Sequence, residues 1–229
     1  MTGTACGTLA LVGGAEWTAG CSFDEELLSA ADAKEVLVLP TAAAYGRPGS
    51  AVETAAAWLE PLGARVRGLM VLARSDAQAD GNVDAVRAAR FIYLGGGSPL
   101  HLRSVLKESK LLDALVAAWR DGAVVAGSSA GAMVLCDPMI DPRGGALTVG
   151  LGLVRRLAIL PHYGTESAER MHRVLHLAGP EVVVAGLDER TALIRDPEGR
   201  WRVSGEGEAR FFLDGQPTDP DALSIVQAP

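Results

Sequence analysis

The chain reads as an α/β protein with a mostly parallel sheet covered on both faces by helices, and three observations predict it. Short apolar runs alternate with Ala-rich amphipathic stretches from Leu9 to Arg120. The runs are apolar throughout rather than at every second residue, which marks strands buried on both faces. The fifth run, Ala123–Ala126, breaks into the small-residue corner Gly127-Ser128-Ser129-Ala130-Gly131-Ala132. Open α/β sheets present their ligand-handling residues beyond such strand ends.

Taken in order, strands are predicted at Leu9–Val12, Glu35–Leu39, Arg65–Val71, Phe91–Leu94 and Ala123–Ala126. Helices are predicted between them at Asp24–Ala31, Gly49–Leu62 and Val83–Ala89, with a pair across Pro99–Arg120. The layers are therefore helix, sheet and helix. The second half is richer in strands: Ala146–Val149, Leu157–Leu160, Val182–Ala185, Thr191–Ile194, Trp201–Val203 and Arg210–Leu213. Glu189-Arg190 and Asp196-Pro197-Glu198-Gly199 read as turns. Thr165–Ala178 reads as a helix, with Glu166 and Glu169 near its start, where the helix dipole favours negative charge. No repeat, low-complexity tract or flexible linker interrupts the chain, so residues 1–229 read as a single domain.

Composition narrows the function. An apolar content of 48% supports a sizeable core, and a net charge of −7 argues against nucleic acid as a partner. Cys6, Cys21 and Cys136 are odd in number and lack CxxC spacing, so they read as free thiols in a reducing compartment. The start Met1-Thr2-Gly3-Thr4-Ala5 has no basic leader, and no apolar run approaches the roughly 20 residues of a membrane span. A cytoplasmic protein without a membrane partner is expected.

The corner at Ser129 carries the chemistry. Only Ser129 has the Gly-x-Ser-x-Gly bracketing, from Gly127 and Gly131; Ser128 does not. Small flanking residues permit the sharp turn that exposes a nucleophilic hydroxyl, and the following N–H groups face the reacting carbonyl. A serine nucleophile needs a base, and there are four histidines. His101 falls inside a predicted helix. His172 and His176 lie one helical turn apart, but Arg173-Val174-Leu175 between them lacks a zincin glutamate and no third ligand is evident, so no metal is expected. His162 follows the Leu157–Leu160 strand and Pro161, at another strand-end loop.

An orienting acid is available in the turn after Val182–Ala185, as either Asp188 or Glu189. Gly95-Gly96-Gly97 after Phe91–Leu94 lets the backbone approach a ligand. An N–H from Gly96 or Gly97, with that of Ala130, would form an oxyanion hole. The same loop is a poor dinucleotide fingerprint, since Leu100 stands where the third glycine belongs.

Together these motifs resemble the serine peptidase family of peptidase E and cyanophycinase, on its cyanophycinase-like side. The resemblance rests on Leu11-Val12-Gly13-Gly14-Ala15-Glu16, Leu39-Pro40-Thr41-Ala42, Tyr93-Leu94-Gly95-Gly96-Gly97, Gly127–Ala132, Pro161-His162-Tyr163 and Gly186–Leu193. The order Ser…His…acid also separates the chain from α/β-hydrolases, which run Ser…acid…His. The resemblance implies a class I glutamine amidotransferase-like, flavodoxin-like fold. It also implies a cofactor-free serine hydrolase cleaving a peptide or isopeptide bond of a small Asp-containing peptide. Ser129 would be nucleophile, His162 base, and Glu189 rather than Asp188 the acid.

Arg170 and Arg173, just after His162, are the nearest candidates to bind an acidic substrate, with Ser98 beside the glycine loop as a further contact. Cyanophycinases carry an Asp-Gln pair after the oxyanion glycines, where this chain has Gly97-Ser98 or Ser98-Pro99; the departure bears on specificity. A homodimer is an open option. The alternatives are an amidotransferase-like or esterase activity on the same fold, or a non-catalytic small-molecule binder. Serine in place of the amidotransferase cysteine argues against the first.

Overall fold

The computed structural model describes residues 6–228. The Met1–Ala5 segment read above for a leader lies outside them. A seven-stranded sheet forms the centre. Its parallel part comprises β1 (Leu9–Val12), β2 (Glu35–Leu39), β3 (Arg65–Gly68), β4 (Phe91–Leu94) and β5 (Val124–Ser128), in the spatial order β1-β5-β4-β2-β3. A second sheet includes the parallel pair β6 (Leu157–Leu160) and β7 (Val183–Leu187). The chain then returns to the central sheet as β8 (Thr191–Arg195) and β9 (Trp201–Gly205), both antiparallel to their neighbours, on the far side of β1. Finally β10 (Ala209–Leu213) and β11 (Gln216–Thr218) extend the second sheet beside β7.

The continuous apolar strands follow from burial on two sides. Leu9, Leu11, Leu37, Leu39, Ile92, Leu94 and Val125 face one apolar cluster, completed by helices α3 (Asp80–Ala88), α4 (Pro99–Leu106), α5 (Lys110–Arg120) and α6 (Ala130–Leu135). Their sequence neighbours Ala10, Val12, Val36, Val38, Phe91, Tyr93, Val124 and Ala126 face the other, with α1 (Phe23–Ala31) and α2 (Pro48–Leu59). The strand period of two thus splits one run of hydrophobic residues between two cores.

The main departures from the expected elements occur where backbone contacts decide. The third strand stops at Gly68, three residues early, and just beyond it the Val71 N–H turns back to the Leu69 carbonyl at 2.8 Å instead of pairing with a neighbouring strand. The strand at β5 runs on to Ser128, because Ser128 pairs with Val12 of β1. The expected helix over Thr165–Ala178 divides into a 3-10 turn at Tyr163–Thr165 and α7 (Ala168–Leu177), capped by the Ser167 hydroxyl, which accepts the Arg170 N–H. Short pairings at Cys136–Asp137 with Val154–Arg155, and Met139–Ile140 with Leu147–Thr148, fill the excursion after α6. The strand expected at Ala146–Val149 is present at Leu147–Thr148, while the other three, each two residues long, are too short for a periodic signal.

All three cysteines are buried, and Cys21 and Cys136 are free thiols. Among the described residues, no helix is long and apolar enough to cross a membrane, and no group of three or more His, Cys, Asp and Glu is placed to hold a metal.

Candidate active site

The carboxyl ends of β1, β4 and β5 form one rim of the central sheet. Because β8 is antiparallel to β1, with Ala192 opposite Val12, its amino end arrives at the same rim. The loops after β1, β4, β5 and β6, and the turn between β7 and β8, therefore converge there.

Ser129 occupies the turn between β5 and α6 with φ 48° and ψ −105°. Such a backbone conformation costs roughly 1–3 kcal/mol in a non-glycine residue and persists only where the surroundings enforce it. The enforcement is visible. The Ser129 N–H donates to the Val12 carbonyl at 2.9 Å. The bracketing glycines leave no room for side chains: a Cβ on Gly127 would lie 2.6 Å from the Gly131 backbone, and one on Gly131 would lie 2.3 Å from the Leu94 carbonyl oxygen. The helix can therefore start directly under β4 and β5.

The Ser129 hydroxyl lies 2.9 Å from His162 Nε2, and His162 Nδ1 lies 2.9 Å from Glu189 Oε1. Serine, imidazole and carboxylate thus form one hydrogen-bonded row. His162 is itself left-handed (φ 54°), and its N–H donates to the Gly13 carbonyl at 2.8 Å. Its ring rests on Gly14, where a Cβ would fall 2.2 Å from Cε1. Arg190, also left-handed, is held by its N–H to the Gly14 carbonyl, which turns Glu189 toward the ring. The β1 loop thereby positions both the imidazole and the acid.

Asp188 and Glu189, adjacent in the turn, are separated by function of the backbone. The Asp188 carboxylate accepts the Glu208 N–H at 3.1 Å and braces the β10 entry, while Glu189 faces His162.

The glycine loop departs from expectation in one respect. The Gly96 N–H does not face the space in front of Ser129. It donates to Glu16 Oε1 at 2.9 Å, and the other oxygen of Glu16 accepts the Ser128 hydroxyl at 2.7 Å. Among the described residues the N–H groups of Gly97 and Ala130 have no acceptor. Behind this loop lies Asp24, fully buried, with its carboxyl pushed up to about 7 by burial, against the lowering effect of the Trp58 indole N–H and with a further rise from the nearby Glu16 charge.

The expected substrate contacts fare differently. Arg170 pairs with Glu166 at 3.1 Å and Arg173 with Glu169 at 2.7 Å, each within the α7 segment. These guanidiniums are already neutralised one helical turn away. Ser98 caps α4, its hydroxyl accepting the His101 N–H at 3.3 Å. His101 meets the Leu72 carbonyl, and His172 and His176 stack on α7 at 6.3 Å.

A cavity of about 310 Å³ opens beside His162, lined by Gly164, Thr165, Asp188, Glu189, Arg190, Glu206 and Gly207. Arg190 is its cationic side chain, paired with Glu206 at 2.8 Å. Nothing in the local sequence distinguished Arg190 from a turn residue, because its place in the cavity depends on β9 folding back over it.

The chain is similar in sequence and fold to known peptidases. The model of peptidase family S51 matches residues 9–200. A peptidase E from Citrobacter koseri is 33% identical over 170 residues, covering 67% of this chain and 66% of that protein. A cyanophycinase from Synechococcus elongatus is 29% identical over 151 residues, covering 61% of this chain and 46% of that protein. The matches thus span two thirds or less of these curated relatives. The crystal structure of a peptidase from an acI-B1 actinobacterium superposes with a TM-score of 0.83 at 26% identity, covering 93% of each chain. A putative peptidase E from Listeria monocytogenes EGD-e gives 0.61 at 20% identity, a likeness of fold alone.

Proposed function

Because the chain belongs to peptidase family S51 and is a serine peptidase, we propose that Ser129, His162 and Glu189 are its catalytic triad and that it cleaves small Asp-containing peptides. The observation that carries this reading is the continuous row of two 2.9 Å hydrogen bonds from the Ser129 hydroxyl through the His162 ring to Glu189. His162 takes the hydroxyl proton at Nε2 as Ser129 Oγ attacks the scissile carbonyl. Glu189 holds the proton on Nδ1 and stabilises the imidazolium. The protonated ring then donates to the leaving amine, giving an acyl-enzyme. Water, deprotonated by the same ring, releases the acid. The N–H groups of Gly97 and Ala130 receive the oxyanion. On this reading the fold is of the class I glutamine amidotransferase type, supported by the parallel order of β1 to β5 and the nucleophile at the end of β5.

For the substrate carboxylate the cation is Arg190 rather than Arg170 or Arg173, since Arg190 lines the cavity beside the base. A substrate carboxylate would replace Glu206 as its partner. A second reading is favoured by the charge of the same cavity. Asp188, Glu189 and Glu206 outnumber Arg190 there, which suits a substrate bearing a cationic side chain next to the scissile bond.

The test is a hydrolysis panel of α-Asp-X dipeptides, β-Asp-Arg, a neutral β-Asp-X dipeptide and insoluble cyanophycin, run on wild type and Ser129→Ala. Cleavage of an Asp peptide that is lost in the variant supports the proposal. Preference for β-Asp-Arg over neutral β-Asp-X selects the cationic reading, and cleavage of none of them rejects the Asp-peptide assignment.

A further inference from the structure

Glu16 belongs to neither strand nor helix, yet the backbone around it is unusual. Ala15 (φ 51°) and Trp17 (φ 60°), the residues on either side of it, are both left-handed, a conformation that side-chain-bearing residues seldom adopt. The turn is held by the Ala15 carbonyl, which accepts the Thr18 hydroxyl at 2.6 Å, and by the buried Trp17 ring, 5.0 Å from Tyr93 of β4. The result is that the Glu16 carboxylate is driven into the gap between two other loops. One oxygen accepts the Gly96 N–H and the other accepts the hydroxyl of Ser128, whose side chain is wholly buried.

These two partners are the glycine loop and the residue immediately before the nucleophile. The contact is close to the reacting atoms: a Cβ on Gly96 would lie 3.0 Å from Glu16 Oε1 and 3.6 Å from Ser129 Cβ. On its other side the glycine loop is pressed against Ala42. The Ser98 N–H donates to the Ala42 carbonyl at 2.8 Å, and a Cβ on Gly97 (φ 137°) would strike that oxygen at 2.3 Å. The loop is thus gripped at Gly96 and at Ser98, and the N–H of Gly97 between them is left without an acceptor among the described residues.

We propose that Glu16 is a positioning residue for the oxyanion hole: it engages the Gly96 N–H and the Ser128 hydroxyl together, fixing the loop relative to the nucleophile so that the Gly97 N–H meets the substrate oxygen. This role rests on the Ser129 mechanism proposed above. A rigid tether is what such a site requires, since oxyanion stabilisation depends on donors that need no rearrangement as charge develops. Glutamine can make the same two contacts. Its carbonyl accepts from Gly96, and its amide donates to the Ser128 oxygen once that hydroxyl rotates. The hydrogen bonds rather than the charge therefore define the role.

The test uses covalent labelling of Ser129 by a fluorophosphonate, which forms its own oxyanion-bound adduct and needs no known substrate. Rates are read by intact mass on wild type, Glu16→Ala, Glu16→Gln, Ser128→Ala and Ser129→Ala, with melting temperature measured alongside. The expected result is labelling slowed roughly 30- to 300-fold in Glu16→Ala, bounded by the loss of one oxyanion donor. Glu16→Gln should return to within about fivefold of wild type, and Ser128→Ala, keeping one of the two contacts, should fall between. If Glu16→Ala does not fold, a slowed Ser128→Ala with a near-normal Glu16→Gln carries the same conclusion.

Wild-type rates in Glu16→Ala, or in Ser128→Ala should Glu16→Ala not fold, overturn the proposal while leaving the Ser129 mechanism intact, provided Ser129→Ala is unlabelled. Equal losses in Glu16→Ala and Glu16→Gln also overturn it, because geometry would then not be what matters. Labelling that persists in Ser129→Ala, or a wild type that takes up no label, rejects the Ser129 mechanism itself and this role with it.

Discussion

The imidazole of His162 packs against Gly14, so close that a Cβ there would fall 2.2 Å from Cε1 and 2.6 Å from Nδ1. Gly14→Ala should therefore push the ring away from Ser129. A misplacement of about 1 Å costs on the order of a hundredfold in rate, so kcat is expected to fall at least that far. The positive φ of Gly14 adds roughly 1 kcal/mol or more of instability. Steady-state kinetics beside a denaturant titration separates the two effects; a kcat within a few fold of wild type would contradict the contact.

Adjacent carboxylates should behave differently. Glu189→Gln keeps the shape but cannot stabilise the imidazolium, and a loss of roughly 10⁴ in kcat is expected by analogy with other triads. Asp188→Asn still offers an acceptor to the Glu208 N–H and should lose less than about tenfold, with a stability change of order 1 kcal/mol. Parallel kinetics of the two variants reads the difference, and a reversed order would reassign the acid.

Arg190 and Glu206 make a second pair whose separation is informative. Glu206→Gln releases Arg190 from its ion pair, and KM for an Asp-containing peptide should fall about two- to fivefold, the value of an exposed pair. Arg190→Gln should raise KM with little change in kcat, the mark of a group that binds ground state and transition state equally. Unchanged KM in both variants would remove Arg190 from the substrate site.

Asp24 gives stability a pH dependence of defined sign. Burial raises its carboxyl from the ordinary 3.8 to about 7 in the folded protein. Between these values the folded state keeps a proton that the unfolded state has released, so stability is greatest below 3.8 and declines as pH rises to about 7. Across that window the contribution of this one group is of order a few kcal/mol. Asp24→Asn, which keeps an acceptor for the Trp58 indole, should flatten the fall in melting temperature between pH 5 and pH 8. An equal fall in both proteins would show that Asp24 is not the group responsible.

Much of this molecule is legible from local sequence. β1, β4 and β6 fall where the apolar runs predict, because strands buried on two faces must be apolar throughout. Ser129 and His162 stand at strand ends, where small residues and a proline mark sharp turns. What was not legible depends on contacts made at long range. Glu16 and Gly96 are 80 positions apart, so a glutamate in a loop gave no sign that it would take the Gly96 N–H. Arg170 and Arg173 stand near His162 in the chain, but Glu166 and Glu169, four residues earlier, claim them through helical spacing. That pairing was visible in the spacing itself and could have been read. The shortening of β3 at Gly68 follows from the turn of the Val71 N–H back to the Leu69 carbonyl, which the apolar run Leu69-Met70-Val71 did not announce.

The central claim is that Ser129 carries the acyl group, and turnover by wild type and Ser129→Ala on the best peptide of the panel tests it most directly. The expected result is a loss of about 10⁴-fold or more in the variant, with a covalent fluorophosphonate adduct on Ser129 of the wild type and none on the variant. Equal turnover by the two proteins would contradict the account.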